Sequence, residues 1–417
     1  MGEKYFPIKS DSACQAKWSH NALNLQVGKT SNCCKVEPVS FTEEEFDNFH
    51  NLPIYLNERQ QMVDGKRPGR GCELCWEIED AGGESYRQFH NKLLDQIPEE
   101  LYTDPTSLSV IPTVLTIGFN NVCNLKCLYC GDQFSSQIYT ENRKFGSFNK
   151  DGVQIKNVLE EIPEDNSGLM QKFWNWLDQN YEKLRRLEIV GGEPFFQKEL
   201  DQLLDFMLER TNKRLEFEII SNLAIPQKKI NQNCEKIKKL VAEKRVGRFE
   251  LLASVDCWGP EQEYVRSNLD LSTWKENFEY FAKQDWCKLS IHQVMTSLTV
   301  MSMPDLIDYI DLQRQKHQRE IAQFVSNPHG THSFLELKIL GHDNIKEIEK
   351  KILSKLNDKQ ALITVKGMFA LVAKHQTDRQ ELKKMLLFLN EMDRRRETNW
   401  KNSFPWLVNI MEENNVV

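Results

Sequence analysis

No stretch of this 417-residue chain approaches the roughly 20 consecutive apolar residues that a membrane-spanning helix requires. The segment Met1–Ala13 is polar and lacks the apolar centre of a secretory signal. Positive charge is not in excess either: Lys and Arg number 54 against 61 Asp and Glu, a formal net charge of −7. That balance supplies no long-range field to gather nucleic acid. The basic clusters Lys66-Arg67-Pro68-Gly69-Arg70 and Arg394-Arg395-Arg396 read as solvated faces. Internal repeats and long low-complexity segments are also missing. These absences predict a soluble cytoplasmic protein with neither a membrane nor a nucleic acid as its partner.

Cysteine, by contrast, is plentiful. There are 11, an odd number, in a chain with no export signal. Disulfides are not expected in a reducing compartment, so clustered cysteines read as metal or redox ligands. One set, Cys14, Cys33, Cys34, Cys72 and Cys75, lies near the N-terminus, and a second, Cys123, Cys127 and Cys130, follows it. Cys234 falls on a helical repeat with Ile230 and Ile237 and reads as a core residue. Cys257 and Cys287 flank predicted strands and read as small buried hydrophobes.

Residues 1–110 have little periodicity and many turn formers, among them Asp64-Gly65, Pro68-Gly69 and Gly82-Gly83. A segment this irregular needs something besides a large core to hold it, and a metal cluster would serve. From residue 111 the pattern becomes strand, loop and helix in repetition. Strands are predicted at Val114–Phe119, Leu187–Val190, Leu215–Ile220, Phe249–Val255, Lys288–Met295 and Phe334–Leu340. Helical spacing links Leu169, Phe173, Leu177 and Tyr181, and again Leu200, Leu203, Leu204 and Met207. Six strands alternating with helices argue for a parallel α/β barrel or open sheet. The predicted divisions are 1–110, 111–341 and a helical, charged C-terminal extension at 342–417.

The segment Asn121-Val122-Cys123-Asn124-Leu125-Lys126-Cys127-Leu128-Tyr129-Cys130-Gly131 carries the strongest signal. Three thiolates spaced by four and three residues can wrap one face of an iron–sulfur cubane, leaving one iron open to an outside ligand. Zinc is the competing occupant, although a structural zinc site takes four protein ligands and no fourth lies nearby in sequence.

The pattern, with Tyr129 before its last cysteine, resembles that of the radical S-adenosylmethionine (SAM) superfamily. Gly191-Gly192-Glu193-Pro194 follows the second strand and resembles the family's GGEP element, which implies that it receives the amino group of SAM. Ser221 and Asn222, after the third strand, resemble the polar pair near the SAM ribose. Ser254, Asp256 and Arg266 resemble the groups that meet its ribose and carboxylate, for which a planar guanidinium is apt. The resemblance implies a partial (β/α)6 barrel. It also implies a [4Fe–4S] cluster that cleaves SAM to a 5′-deoxyadenosyl radical, which takes hydrogen from a substrate.

Cys14, Trp18, Gly28 with four residues before Cys33, and Cys72-Glu73-Leu74-Cys75 resemble the SPASM and twitch subdomains. Those bind auxiliary iron–sulfur clusters, here placed before the barrel. Gly71-Cys72-Glu73-Leu74-Cys75-Trp76 and Ser85-Tyr86-Arg87 resemble the relatives with an N-terminal twitch domain. Their implied ligands are Cys14, Cys33, Cys72 and Cys75, with Cys33 preferred over Cys34. A four-cysteine zinc ribbon matches the same count, and unligated core cysteines are a third reading. By analogy the substrate is a peptide, with a sugar or nucleoside as the alternative, and the electron donor is a flavodoxin or ferredoxin. A non-catalytic iron–sulfur or zinc protein that binds nucleic acid leaves the Gly-Gly-Glu-Pro element unexplained. A cobalamin-binding unit is not expected, because 1–110 shows no strand–helix alternation.

Overall fold

The computed structural model describes residues 6–80, 82, 84–155, 166–328 and 332–417. Gly83 of the Gly82-Gly83 turn and the first five residues of Met1–Ala13 lie outside them. The chain forms two compact units. One comprises Met1–Asn120, Ile162–Ile219 and Glu235–Phe249, and the other Asn121–Glu161, Ile220–Cys234 and Glu250–Val417.

The first unit is built on parallel strands. Val114–Gly118 reads Val-Leu-Thr-Ile-Gly and is buried on both faces, as β-branched and apolar runs in parallel sheets are. It pairs in parallel with Arg186–Val190, which pairs in turn with Asn212–Ser221. On its other side lies His20–Asn24, also parallel, with His20 opposite Val114. Lys29–Ser31 and Val39–Ser40 then continue the sheet antiparallel. The amphipathic helices Ser167–Asn180 and Lys198–Leu208 bury Phe173 and Leu177, and Leu200, Leu203, Leu204 and Met207, respectively.

The parallel pairing of His20–Asn24 brings the 1–110 segment into the main sheet, overlapping the run Leu23–Val27 that reads as strand-like in the sequence. The paired residues are His-Asn-Ala-Leu-Asn, and the buried Asn21 breaks the apolar signal. Asn21 is tolerated inside because Thr30 Oγ1 donates to its Oδ1 at 2.9 Å and its Nδ2 lies 3.3 Å from His50 Nδ1. The segment also has a core of its own, in which Trp18, Met62, Trp76, Ile97 and Leu101 surround Cys14, Cys33 and Cys72. Widely spaced large side chains build that core, so no short-range period announces it.

In the second unit, the latter half of Val246–Ser254 pairs in parallel with Lys288–Val294, which pairs with Ala322–Ser326. Leu271–Ala282 is capped by Asp270, whose carboxylate accepts from the Ser272 and Thr273 amides. One expectation fails here: Phe334–Leu340 is not a strand but two short 3-10 turns, Ser333–Leu335 and Leu337–Leu340. Phe334, Leu335, Leu337, Ile339 and Leu340 are all buried, so the apolar run marks a packed connection rather than a ladder. The last parallel strand is Ala322–Ser326, short and half polar.

The helices His342–Lys355, Lys359–Val372, Arg379–Arg396 and Pro405–Glu413 follow. Their apolar faces join Leu298, Met303 and Ile307 in one core that includes Phe388, Trp400 and Phe404. The α/β class expected from the sequence is present, with parallel strands joined through helices. Among the described residues no helix is long and apolar enough to cross a membrane.

Candidate functional site

The second unit holds the cysteine loop, which is fastened at several points. Ser136 N–H donates to the Asn121 carbonyl at 2.7 Å. Ser135 caps the helix Ser136–Phe145 and donates its hydroxyl to the Leu125 carbonyl at 2.7 Å. Cys127 lies in a two-residue antiparallel ladder opposite Arg266, and Leu128 N–H reaches the Val265 carbonyl at 2.9 Å. All three cysteines of the loop are half-buried. Burial pushes the Cys130 thiol up, and the neighbouring Cys127 and Cys123 thiols push it the same way.

The residues matched to SAM contacts occupy this neighbourhood, but their bonds in the structure go to the protein. Arg266 forks onto Asp256, with Nε 2.7 Å from Oδ2 and Nη2 2.9 Å from Oδ1. Tyr129 donates its hydroxyl to the same Oδ2 at 2.5 Å, and Val294 N–H donates to Oδ1 at 2.9 Å. Asp256 is fully buried and Arg266 nearly so, which makes this a buried bidentate ion pair. It ties the aromatic residue of the loop to the end of the strand Val246–Ser254.

Asn222 acts in the same way. Its Nδ2 donates to Asn124 Oδ1 at 2.9 Å and lies 3.9 Å from Cys123 Sγ, while Asn124 Nδ2 donates to the Ala224 carbonyl at 2.6 Å. Ser221 Oγ accepts from Leu223 N–H at 3.1 Å. Ser254 is buried, and its carbonyl accepts from the Trp274 indole N–H at 3.2 Å.

A cavity of about 420 Å³ opens on Cys127 and Cys130. Its opposite wall carries His332, Phe334, Phe388, Met392 and Arg396, the last three from the helix Arg379–Arg396. His332 stacks on Phe334 at 4.7 Å between ring centroids, and burial lowers its imidazole to about 4. It is therefore neutral at physiological pH.

In the first unit, Gly191 and Gly192 both adopt positive φ, +78° and +54°. A Cβ on Gly191 would lie 3.2 Å from Gly118 Cα, so the turn after Arg186–Val190 packs directly on the neighbouring strand. Glu193 is fully buried and accepts from Phe195 N–H at 3.3 Å. Gln197 Nε2 donates to the Gly191 carbonyl at 2.8 Å, which fixes the turn from the other side.

The N-terminal cysteines also lie in the first unit. Cys14, Cys33, Cys72 and Cys75 are all buried and line one small cavity together with Lys17, Trp76, Tyr86 and Arg87. Cys34 is exposed and takes no part in that wall. Burial pushes the Cys14 thiol up to about 12, partly countered by Lys17. Gly71 sets the approach of the Cys72–Cys75 pair. Its φ is +85°, and a Cβ there would lie 2.6 Å from the Lys35 carbonyl oxygen. Only glycine lets the segment before Cys72 lie against the turn after Cys33.

Among the described residues, no three His, Cys, Asp or Glu side chains converge closely enough to hold a single metal ion. The four N-terminal thiols instead surround a space. Four thiols on one cavity wall are a donor set that an iron–sulfur cluster and a four-cysteine zinc site both use. Sequence reasoning passed over Lys17 and Asn124. A lysine in the core and an asparagine inside the loop carry no periodic signal, and only their partners reveal them.

No family model matches the chain, and no curated protein matches it either. Among solved structures the chain is similar to the crystal structure of Streptococcus suis SuiB bound to precursor peptide SuiA. The identity is 14%, and the alignment covers 90% of this chain and 68% of that one at a TM-score of 0.35.

Proposed function

We propose that the chain is a radical SAM enzyme built on a partial (β/α)6 barrel, with an auxiliary iron–sulfur cluster in its N-terminal segment. The observation that carries this reading is the loop of Cys123, Cys127 and Cys130. Its three cysteines are spaced by four and three residues, and its backbone is held by Asn121, Ser135, Asn222 and the Arg266 ladder. Three thiolates hold three irons of a [4Fe–4S] cluster and leave the fourth to SAM. When bound, the cluster supplies the electron that splits SAM to a 5′-deoxyadenosyl radical, which takes hydrogen from the substrate.

The chain's own residues orient and shield. Tyr129, Asp256 and Arg266 keep the last turn of the loop against the strand end, so the thiolates are presented in a fixed arrangement. The Gly191–Glu193 turn keeps the role given by its resemblance, receiving the amino group of SAM. Ser221, Asn222 and Ser254 are the polar groups on its ribose side. Arg266 keeps the carboxylate role given by its resemblance, and its pairing with Asp256 also holds the loop in place. The cavity beside Cys127 and Cys130 provides space for a substrate, with Phe334 and Phe388 among its lining residues. We take that substrate to be a peptide and the electron donor to be a flavodoxin or ferredoxin. Cys14, Cys33, Cys72 and Cys75 would hold the auxiliary cluster with four thiolates, as an electron relay.

The test is direct. Protein reconstituted with iron and sulfide under anaerobic conditions and reduced by dithionite should convert SAM to 5′-deoxyadenosine and methionine. The Cys123, Cys127 and Cys130 triple alanine variant should form none while retaining its fold. Equal 5′-deoxyadenosine from wild type and variant would remove the proposal.

A further inference from the structure

A lysine in a protein core is costly unless it is paired, because burial disfavours its charged form. Lys17 is 1% exposed. Its ammonium donates to Glu58 Oε2 at 2.8 Å and to Asn32 Oδ1 at 3.0 Å. Asn32 Nδ2 donates to the same Glu58 oxygen at 3.3 Å, and Arg70 Nε holds the other oxygen at 2.6 Å. Glu58 thus anchors Lys17 rigidly. Two of the three ammonium hydrogens are used on that side.

The remaining side faces the cysteines. Lys17 lines the same cavity as Cys14, Cys33, Cys72 and Cys75. The ion pair with Glu58 alone does not require a place among four thiols. An arrangement of Arg70, Glu58 and Lys17 leaves one surplus positive charge against that wall.

We infer that Lys17 is a positioning residue that holds a fixed cation beside the N-terminal thiolates and thereby sets the reduction potential of the iron–sulfur group they bind. The inference rests on the reading of that site as an auxiliary cluster. Reduction adds a negative charge to the group, and a nearby buried cation favours the reduced state. Net charge and donors facing the sulfurs are among the terms that tune such potentials. Glu58 acts with the opposite sign, since its carboxylate offsets part of the Lys17 field.

The experiment uses the full chain with Cys123, Cys127 and Cys130 replaced by alanine, so that only the N-terminal cluster reports. Iron content and midpoint potential, followed by electron paramagnetic resonance during redox titration, are compared in Lys17→Met, Lys17→Arg and Glu58→Gln. The potential should fall in Lys17→Met, stay near the parent value in Lys17→Arg and rise in Glu58→Gln, with iron retained. Opposite shifts in the first and last variants are the signature that a merely structural ion pair cannot give. If Lys17→Met does not fold, the sign of the Glu58→Gln shift decides alone. Unmoved potentials, or shifts of the same sign, in iron-loaded protein overturn the inference and leave the cluster reading intact. Zinc or no metal in the parent variant overturns both.

Discussion

At the scale of single residues, the two cysteine sites depend on neighbours that have no metal-binding chemistry. Gly71 is the sharpest case. Its left-handed backbone and its close approach to Lys35 leave no room for a side chain. Gly71→Ala should therefore cost more than about 1 kcal/mol of stability through strain at φ > 0. It should also move the Cys72–Cys75 pair off the turn that carries Cys33. The expected outcome is a lowered melting temperature together with lost N-terminal iron in the loop-cysteine triple variant. Full iron with an unchanged melting temperature would show that the close approach is not what seats Cys72.

At the scale of elements, the helix Arg379–Arg396 is tied to the helix that follows the cysteine loop. Arg396 and Lys126 share Glu141, with contacts of 2.9 Å each, and Arg395 reaches Asn142 Oδ1 at 2.9 Å. Burial alone would raise the Glu141 carboxyl, but Arg396 and Lys126 outweigh it and hold it below its usual value. The folded-state pKa is depressed, so this contribution is complete above the ordinary carboxylate pKa. It is lost as pH falls through the folded value. Arg396→Met removes a charged partner, which should cost about 1.5–3 kcal/mol at neutral pH. It should also shrink the low-pH decline of the melting temperature, because less of that contribution is left to lose. Melting curves for variant and wild type that stay parallel through the carboxylate range would contradict this assignment.

That coupling also shows what the sequence concealed. Arg394-Arg395-Arg396 looked like a solvated basic face, yet the Arg395 and Arg396 side chains are buried in long-range ion pairs and hydrogen bonds. A charge run gives no hint of partners some 250 positions away. Where apolar runs were long and separated by turns, from Val114 to Val294, the strands were legible. Phe334–Leu340 failed because a run buried on several sides has the same composition whether or not it forms a ladder.

At the scale of the whole molecule, the two cysteine sets were visible from spacing alone, because short loops fix what their residues can reach. Cys33 lines the cavity with Cys14, Cys72 and Cys75, and Cys34 is exposed. The larger structural surprise is that His20–Asn24, half polar in sequence, pairs in parallel with Val114–Gly118. Two strands far apart in sequence must meet before either can be covered, so the cysteine-bearing segment between them folds as part of the sheet.

The consequence bears on how the protein can be cut. A chain beginning at residue 111 would keep every residue of the loop motif but uncover one side of Val114–Gly118. A row of unpaired backbone groups on an apolar strand is a template for joining another copy. Such a fragment should run as a soluble aggregate or precipitate, whereas the full chain with Cys14, Cys33, Cys72 and Cys75 replaced by serine should remain dispersed. A monodisperse 111–417 fragment on size-exclusion chromatography would show that the N-terminal strand is dispensable after all.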